Sequence, residues 1–226
     1  MKKFELVADQ SIQFMGVTLF RIRALVSFGC VESGDVGGFV EKESNLDNAG
    51  GDAWIYGNAL IYGNACIYGN ALIYGNACIY GDARISGDAR ISGDARVGGD
   101  ARIYGNAWIY GNALIYGNAR IDGYARIDGY ARISGDARIG GDARVGGSAS
   151  VCWFSKVGSE NGTLTAFAAK AGLSVTRGCF SGTLESFVLA VDKKHGDSKI
   201  GKEYKLLAEV IKSRLSDAQE KLSDDE

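Results

Sequence analysis

The sequence predicts a mainly β chain organised as a solenoid, and three observations predict it. A six-residue phrase, G-[D/N]-A-x-[I/V]-x with Tyr or Ser in the second slot three times, recurs seventeen times, from Gly51-Asp52-Ala53-Trp54-Ile55-Tyr56 to Gly147-Ser148-Ala149-Ser150-Val151-Cys152. Self-similarity at a fixed period marks a repeat architecture, and this period fits neither coiled-coil heptads nor collagen triplets. Within each phrase the Ala and the Ile or Val stand two apart. On a strand both face one way and the residue between them faces the other. Proline is absent throughout, which favours regular backbone ladders.

The phrase resembles the hexapeptide repeat of left-handed parallel β-helices, written [L/I/V]-[G/A/E/D]-x-x-[S/T/A/V]-x. The aliphatic slot is Ile or Val from Ile55 to Val151, and the small slot four residues later is Ala from Ala59 to Ala149. The resemblance implies a triangular prism with three hexapeptides to an eighteen-residue coil. Seventeen hexapeptides then make five coils and two further sides. Gly with Asn or Asp falls at each corner, where the chain must turn. Stacked coils bury their faces only against neighbours, so the ends require caps. Three regions follow: a β-rich N-terminal cap over 1–50, the β-helix over 51–152, and an α+β C-terminal cap over 153–226.

In the first region Phe4-Glu5-Leu6-Val7 and the run Leu19 to Leu25 alternate at period two, with a turn at Gly16. Gly34-Asp35 and Gly37-Gly38 punctuate the next stretch, and Phe39-Val40 begins its last strand. After the repeat, Trp153-Phe154 seats the second cap. Strands are expected at 163–167 and 173–176. A helix follows from Thr183 to Lys194, its apolar face made by Phe187, Val188 and Val191, with Gly196 as its stop. Asp197 is the expected N-cap of a second helix through Arg214, carrying Tyr204, Leu207, Val210 and Ile211. The tail from Ser216 is acidic and is expected to fray.

Adding eighteen to a position gives its neighbour on the next coil. One outward column reads Trp54, Leu72, Arg90, Trp108, Arg126, Arg144; a second begins Leu60, Cys78, Arg96. The third reads Cys66, Arg84, Arg102, Arg120, Arg138. Four arginines about 4.8 Å apart repel unless anions or carboxylates separate them. The repeat holds nine Arg and nine Asp, so two readings are open. One is a solvated, charge-balanced face. The other is a guanidinium ladder for phosphates or carboxylates, with Tyr104 beside it for stacking. Asp122 and Asp128 are expected to neutralise Arg120 and Arg126. Tyr124 and Tyr130 take corner slots that otherwise hold Asn, Asp or Ser; at a corner suited to positive φ they join the candidate binding residues. Trp54, Leu60, Leu72 and Trp108 are candidate oligomer contacts, because exposed apolar clusters mark interfaces. The β-helix resemblance makes a trimer the favoured assembly.

Charge and composition exclude several classes. A net charge of −2, and of zero over the repeat, argues against extended nucleic-acid binding. No apolar run is long enough to cross a membrane, and the start lacks the apolar core of a secretion signal. Five cysteines without C-x-x-C spacing read as reduced cytoplasmic thiols. Hexapeptide-repeat acyltransferases generally use a His in or beside the coils, so a diverged acyltransferase is the alternative function. The single His195 lies instead at a predicted helix end after the repeat. No metal site, cofactor or catalytic residue is expected. The chain also resembles bacterial and bacteriophage proteins with Tyr-rich G-[N/D]-A-x-[I/V]-Y repeats. Gly37-Gly38-Phe39-Val40-Glu41-Lys42-Glu43 and Gly178-Cys179-Phe180-Ser181-Gly182-Thr183-Leu184-Glu185 carry that likeness. It supplies no activity. The expectation is a non-enzymatic scaffold that binds a protein or a small anion through its outer faces. Countering a host defence is one version that the phage kinship implies.

Overall fold

The computed structural model describes residues 2–224 except 49 and 171, with side chains as far as residue 220. The antiparallel strands β1 (Phe4–Phe14) and β2 (Val17–Ala24) open the chain, and β2 pairs with β3 (Val36–Val40). Each hexapeptide then gives one two-residue strand, from β4 (Trp54–Ile55) to β19 (Arg144–Val145). Each of these strands up to Arg126–Ile127 pairs in parallel with the one eighteen residues on, as Trp54 does with Leu72 and Ile55 with Ile73. Three flat faces result. The first holds Trp54, Leu72, Arg90, Trp108, Arg126 and Arg144, the second continues the sheet of β1–β3, and the third runs from Cys66 to Arg138.

The slot alternation sets this core. Ile55, Ile73, Ile91, Ile109 and Ile127 stack in one column and are fully buried, as are the slot alanines from Ala53 to Ala143. At the corners the repeat glycines from Gly51 to Gly141 hold φ of +57° to +72°, a region closed to most L residues. The Asn and Asp that follow them form a second ladder. Asn64, Asn70, Asn76 and Asn118 each donate from Nδ2 to the Asp eighteen residues on, at 3.0–3.1 Å.

The N-terminal region does more than cap. Phe39 and Val40 pair with Leu60 and Ile61, and Leu46 bridges Ile67, so residues 39–46 supply two sides of a coil ahead of the repeat. Asn45, fully buried, donates to the carbonyls of Gly63 and Ala65 as a corner residue would. Phe4 and Phe28 close edge-on over Trp54, with ring centroids 6.5 and 5.6 Å away. Trp54 is therefore 1% exposed and is removed from the expected outward contacts. The hairpin tip reaches the second face, where Phe14 packs edge-on against Tyr62.

At the other end the seventeenth hexapeptide leaves the solenoid. Ser148–Ser150 forms a 3-10 turn, Ala149 is exposed, and Val151 enters an antiparallel strand. That strand, β20 (Val151–Val157), joins β21 (Gly162–Ala169), β22 (Gly172–Arg177) and β23 (Phe180–Thr183) in a four-stranded sheet. Val151, Phe167, Ala169 and Trp153 plug the open coil. Helix α1 (Leu184–His195) is capped by the Thr183 side chain and ends at Gly196, as expected. Helix α2 (Lys199–Asp224) differs from expectation in three ways. Its first turn is capped by Ser198, whose hydroxyl accepts from Gly201 N, and not by Asp197. It runs on past Arg214 because Leu215 is buried against the sheet and Gln219 reaches the Ala169 carbonyl. Val210 is 41% exposed while Ala208 takes a buried place beside Tyr204 and Ile211. Asp225 and Glu226 of the acidic tail lie outside the described residues. No helix among the described residues is long and apolar enough to cross a membrane.

Candidate functional site

The third face carries the arginine column in strict register: Arg84 beside Arg102, Arg102 beside Arg120, Arg120 beside Arg138. All four side chains stand on exposed positions, each between a buried Ala and a buried Ile that fix its direction. Among the described residues, every salt bridge found lies outside the repeat. The expected Arg120–Asp122 and Arg126–Asp128 pairs are thus replaced by other contacts. Burial first, and then the nearby Asp122 carboxylate, raise the Tyr104 phenol above its ordinary pKa; burial and Asp128 do the same for Tyr110. Each carboxylate leans toward the next coil, where a Cβ at Gly140 or Gly146 would meet it.

The C-terminal cap turns the lower half of this face into a groove of about 500 Å³. Its solenoid wall is Arg102, Arg120 and Arg138 with the corner residues Asp100, Asn118 and Asp136. Its cap wall is the β20–β21 turn, Glu160 to Thr163, with Arg177 and Gly178. Four guanidiniums therefore face three carboxylates, and Asp136 already accepts from Asn118. Arg138 is held by the cap: its N–H donates to Thr165 Oγ1 at 3.0 Å and its Nη1 to the Gly178 carbonyl at 3.3 Å.

The turn wall is fixed from behind. Gly158 N donates to Glu203 Oε2 at 2.9 Å, and Arg177 Nη2 donates to the Val157 carbonyl at 2.9 Å. Asn161 sits at φ +47°, which Asn tolerates better than most residues. A Cβ at Gly162 would clash with the Arg177 guanidinium, so the missing side chain is what lets that arginine lie flat along the wall. The Nε of Arg177 is buried with no hydrogen-bond partner among the described residues. Such an orphan donor is costly unless something outside the chain satisfies it.

The structure does not gather all the expected residues. Arg84 lies up the column, outside the groove, and Tyr104, 38% exposed, is on the same face but not in the lining. Tyr124 and Tyr130 are 64% and 76% exposed. Positive φ falls on the glycines before them, so neither tyrosine is strained, contrary to the expectation for that corner slot. Tyr124 lines a smaller groove on the first face with Trp108, whose ring lies 5.2 and 5.1 Å from the guanidiniums of Arg90 and Arg126. Of the apolar contact candidates, Leu60 and Leu72 are half-buried and Trp108 is 40% exposed.

Sequence reasoning missed Arg177, Glu160 and Asn161, which lie outside the repeat. A paired turn signal, Gly158 and Asn161-Gly162, was the local hint. The sequence family described as YdcK Beta solenoid repeat matches at residues 77–93, 83–101 and 131–147. Those matches fall on the coils and make the chain similar to that β-solenoid over part of its length. No curated protein matches the sequence.

Proposed function

We propose that this protein is a non-enzymatic binding scaffold that captures an anionic partner in the groove between its third face and its C-terminal cap. The observation that carries the reading is Arg102, Arg120 and Arg138 in consecutive register, joined by Arg177 from the opposite wall and left without ion-pair partners among the described residues. Stability alone does not call for aligned guanidiniums, since like charges in adjacent strands are unfavourable. Planar guanidiniums lining one groove suit carboxylate or phosphate oxygens. The reading favours binding over acyl transfer, because the single histidine sits at the end of α1 with its ring 6.0 Å from that of Tyr204, off the coils. Five free thiols fit a reducing, cytoplasmic setting.

The test is titration of a fluorescent oligoglutamate peptide, competed with ATP and inorganic pyrophosphate, at two salt concentrations. Arg120→Ala is expected to weaken the tightest of these by about 1–3 kcal/mol, the range for one charge-assisted contact. Added salt is expected to weaken it further. Equal affinity of Arg102→Ala, Arg120→Ala and the parent for all three probes refutes the reading.

A further inference from the structure

The arginine groove does not end at the turn that walls it. Asn161 also lines a second groove on the far side of the same turn, about 890 Å³ in volume, bounded by Lys156, Gly158 and the first turns of α2. Its floor is apolar. Leu206 and Val210, one helical turn apart, are 69% and 41% exposed, and Ile200 and Leu207 flank them half-buried. Its rim is basic: Lys156, Lys199 and Lys202 surround one carboxylate, Glu203. That carboxylate is already committed to the Gly158 N–H.

Resting on the reading above, the geometry points to a protein segment as the partner, one that carries carboxylates beside large aliphatic or aromatic side chains. Its carboxylates lie along Arg102, Arg120, Arg138 and Arg177, and its apolar anchors cross the turn into the Leu206–Val210 groove under the three lysines. An inorganic anion satisfies one half of this surface and leaves the apolar half bare. A nucleotide fits poorly, because the second groove offers its base no aromatic ring to stack on. A flat lipid surface matches the lysines and leucines in composition but not in shape, since the leucines line a concavity between the turn and the helix. Affinity in such an interface concentrates in the buried apolar anchors, while the charges orient the approach.

The experiment is selection of a displayed random-peptide library on the intact protein, followed by titration of the enriched peptides against Leu206→Ser/Val210→Ser and Arg102→Ala/Arg120→Ala. Leu206, Val210 and both arginines are surface positions, and far-UV circular dichroism confirms that each variant keeps its fold. Enriched peptides are expected to combine acidic residues with apolar anchors. Each double variant is expected to lose about tenfold or more in affinity, roughly 1.4 kcal/mol. The oligoglutamate peptide is expected to respond to the arginine variant alone. Acidic peptides indifferent to Leu206→Ser/Val210→Ser overturn this inference and leave the arginine groove standing. Apolar peptides indifferent to the arginine variant overturn this inference, and the oligoglutamate titration then decides the arginine groove. If no peptide is enriched, the inference fails, and the oligoglutamate titration separately decides the arginine groove. Sedimentation with phosphatidylserine vesicles that Leu206→Ser/Val210→Ser abolishes overturns it in favour of a membrane surface.

Discussion

Replacing Gly87 with alanine isolates what the corner glycines contribute. Gly87 holds φ +68°, and a Cβ there would lie 2.8 Å from both the N and the O of Gly105 on the next coil. An L residue in that left-handed region costs about 1–2 kcal/mol. The overlap is with backbone, and the Gly105 carbonyl also accepts the ladder bond from Asp88 N at 2.9 Å. Relieving it therefore means parting two coils, which adds about 1–3 kcal/mol by analogy with overpacked cores. The expected loss is roughly 2–5 kcal/mol. Gly147→Ala is the internal control. Its φ of 169° is extended backbone and its Cβ would meet nothing within 4 Å, so that change is expected to be neutral or to stabilise by about 0.4–1 kcal/mol. Urea denaturation followed by far-UV circular dichroism measures both, comparing midpoints at equal slope. A Gly87→Ala loss below about 0.5 kcal/mol, or equal losses in the two variants, refutes the stacking argument.

Three further outcomes are expected. Ile91→Asp, at a fully buried position between Ile73 and Ile109, leaves a carboxylate without a partner and is expected to prevent folding or cost several kcal/mol, against about 1 kcal/mol for Ile91→Val; thermal melts check it. Thiol labelling is expected to reach exposed Cys30 and Cys179 first and buried Cys152 last; burial pushes the Cys152 thiol up to about 11 from 9.0, so its unfolded form ionises first and stability is expected to fall as pH rises from about 9 to 11, a loss that Cys152→Val removes. A side-by-side trimer through the first face is expected to rely on Trp108 now that Trp54 is covered, and light scattering is expected to show a lower mass for Trp108→Lys than for the parent; a monomeric parent refutes it.

The coils were legible in the sequence because one phrase dictates both period and direction: a β-branched slot and a small slot two apart leave no second register that keeps both inside. That is why the five isoleucines stack as expected. The failures lie where the phrase holds but its surroundings change. Trp54 occupies an outward slot, yet the first coil has no earlier repeat beside it, and Phe4 and Phe28 fill that space. Ala149 occupies an inward slot, yet the plug made by Val151, Phe167 and Trp153 already closes the interior. The preceding coil escaped notice because Val40 and Leu46 keep the six-residue step but pair with Ile61 and Ile67, twenty-one residues on instead of eighteen. The groove's second wall was legible only as a turn at Gly158 and Asn161-Gly162, since Arg177 and Glu160 reach the arginines through packing of a cap that has no repeat to number it.

The same distinction resolves the charge balance. Nine arginines and nine aspartates sum to zero over the repeat, and a zero sum reads as a neutral, self-paired surface. The structure separates the two sets. Aspartates 82, 88, 94 and 136 stand at corners, where asparagines of the preceding coil donate to them. Asp122 and Asp128 stand one slot past the strand, beside Tyr104 and Tyr110. On the third face Arg84, Arg102, Arg120 and Arg138 occupy the outward strand slot, where a parallel ladder places like beside like. These carboxylates are thus engaged by neutral donors, while Arg84, Arg102 and Arg120 stand exposed on the third face. Coulomb attraction falls with distance and screening, so an approaching anion responds to the local column within about 8 Å and not to the sum. A protein neutral along its sequence presents, on one face, a basic stripe that ends against the rigid turn of its cap.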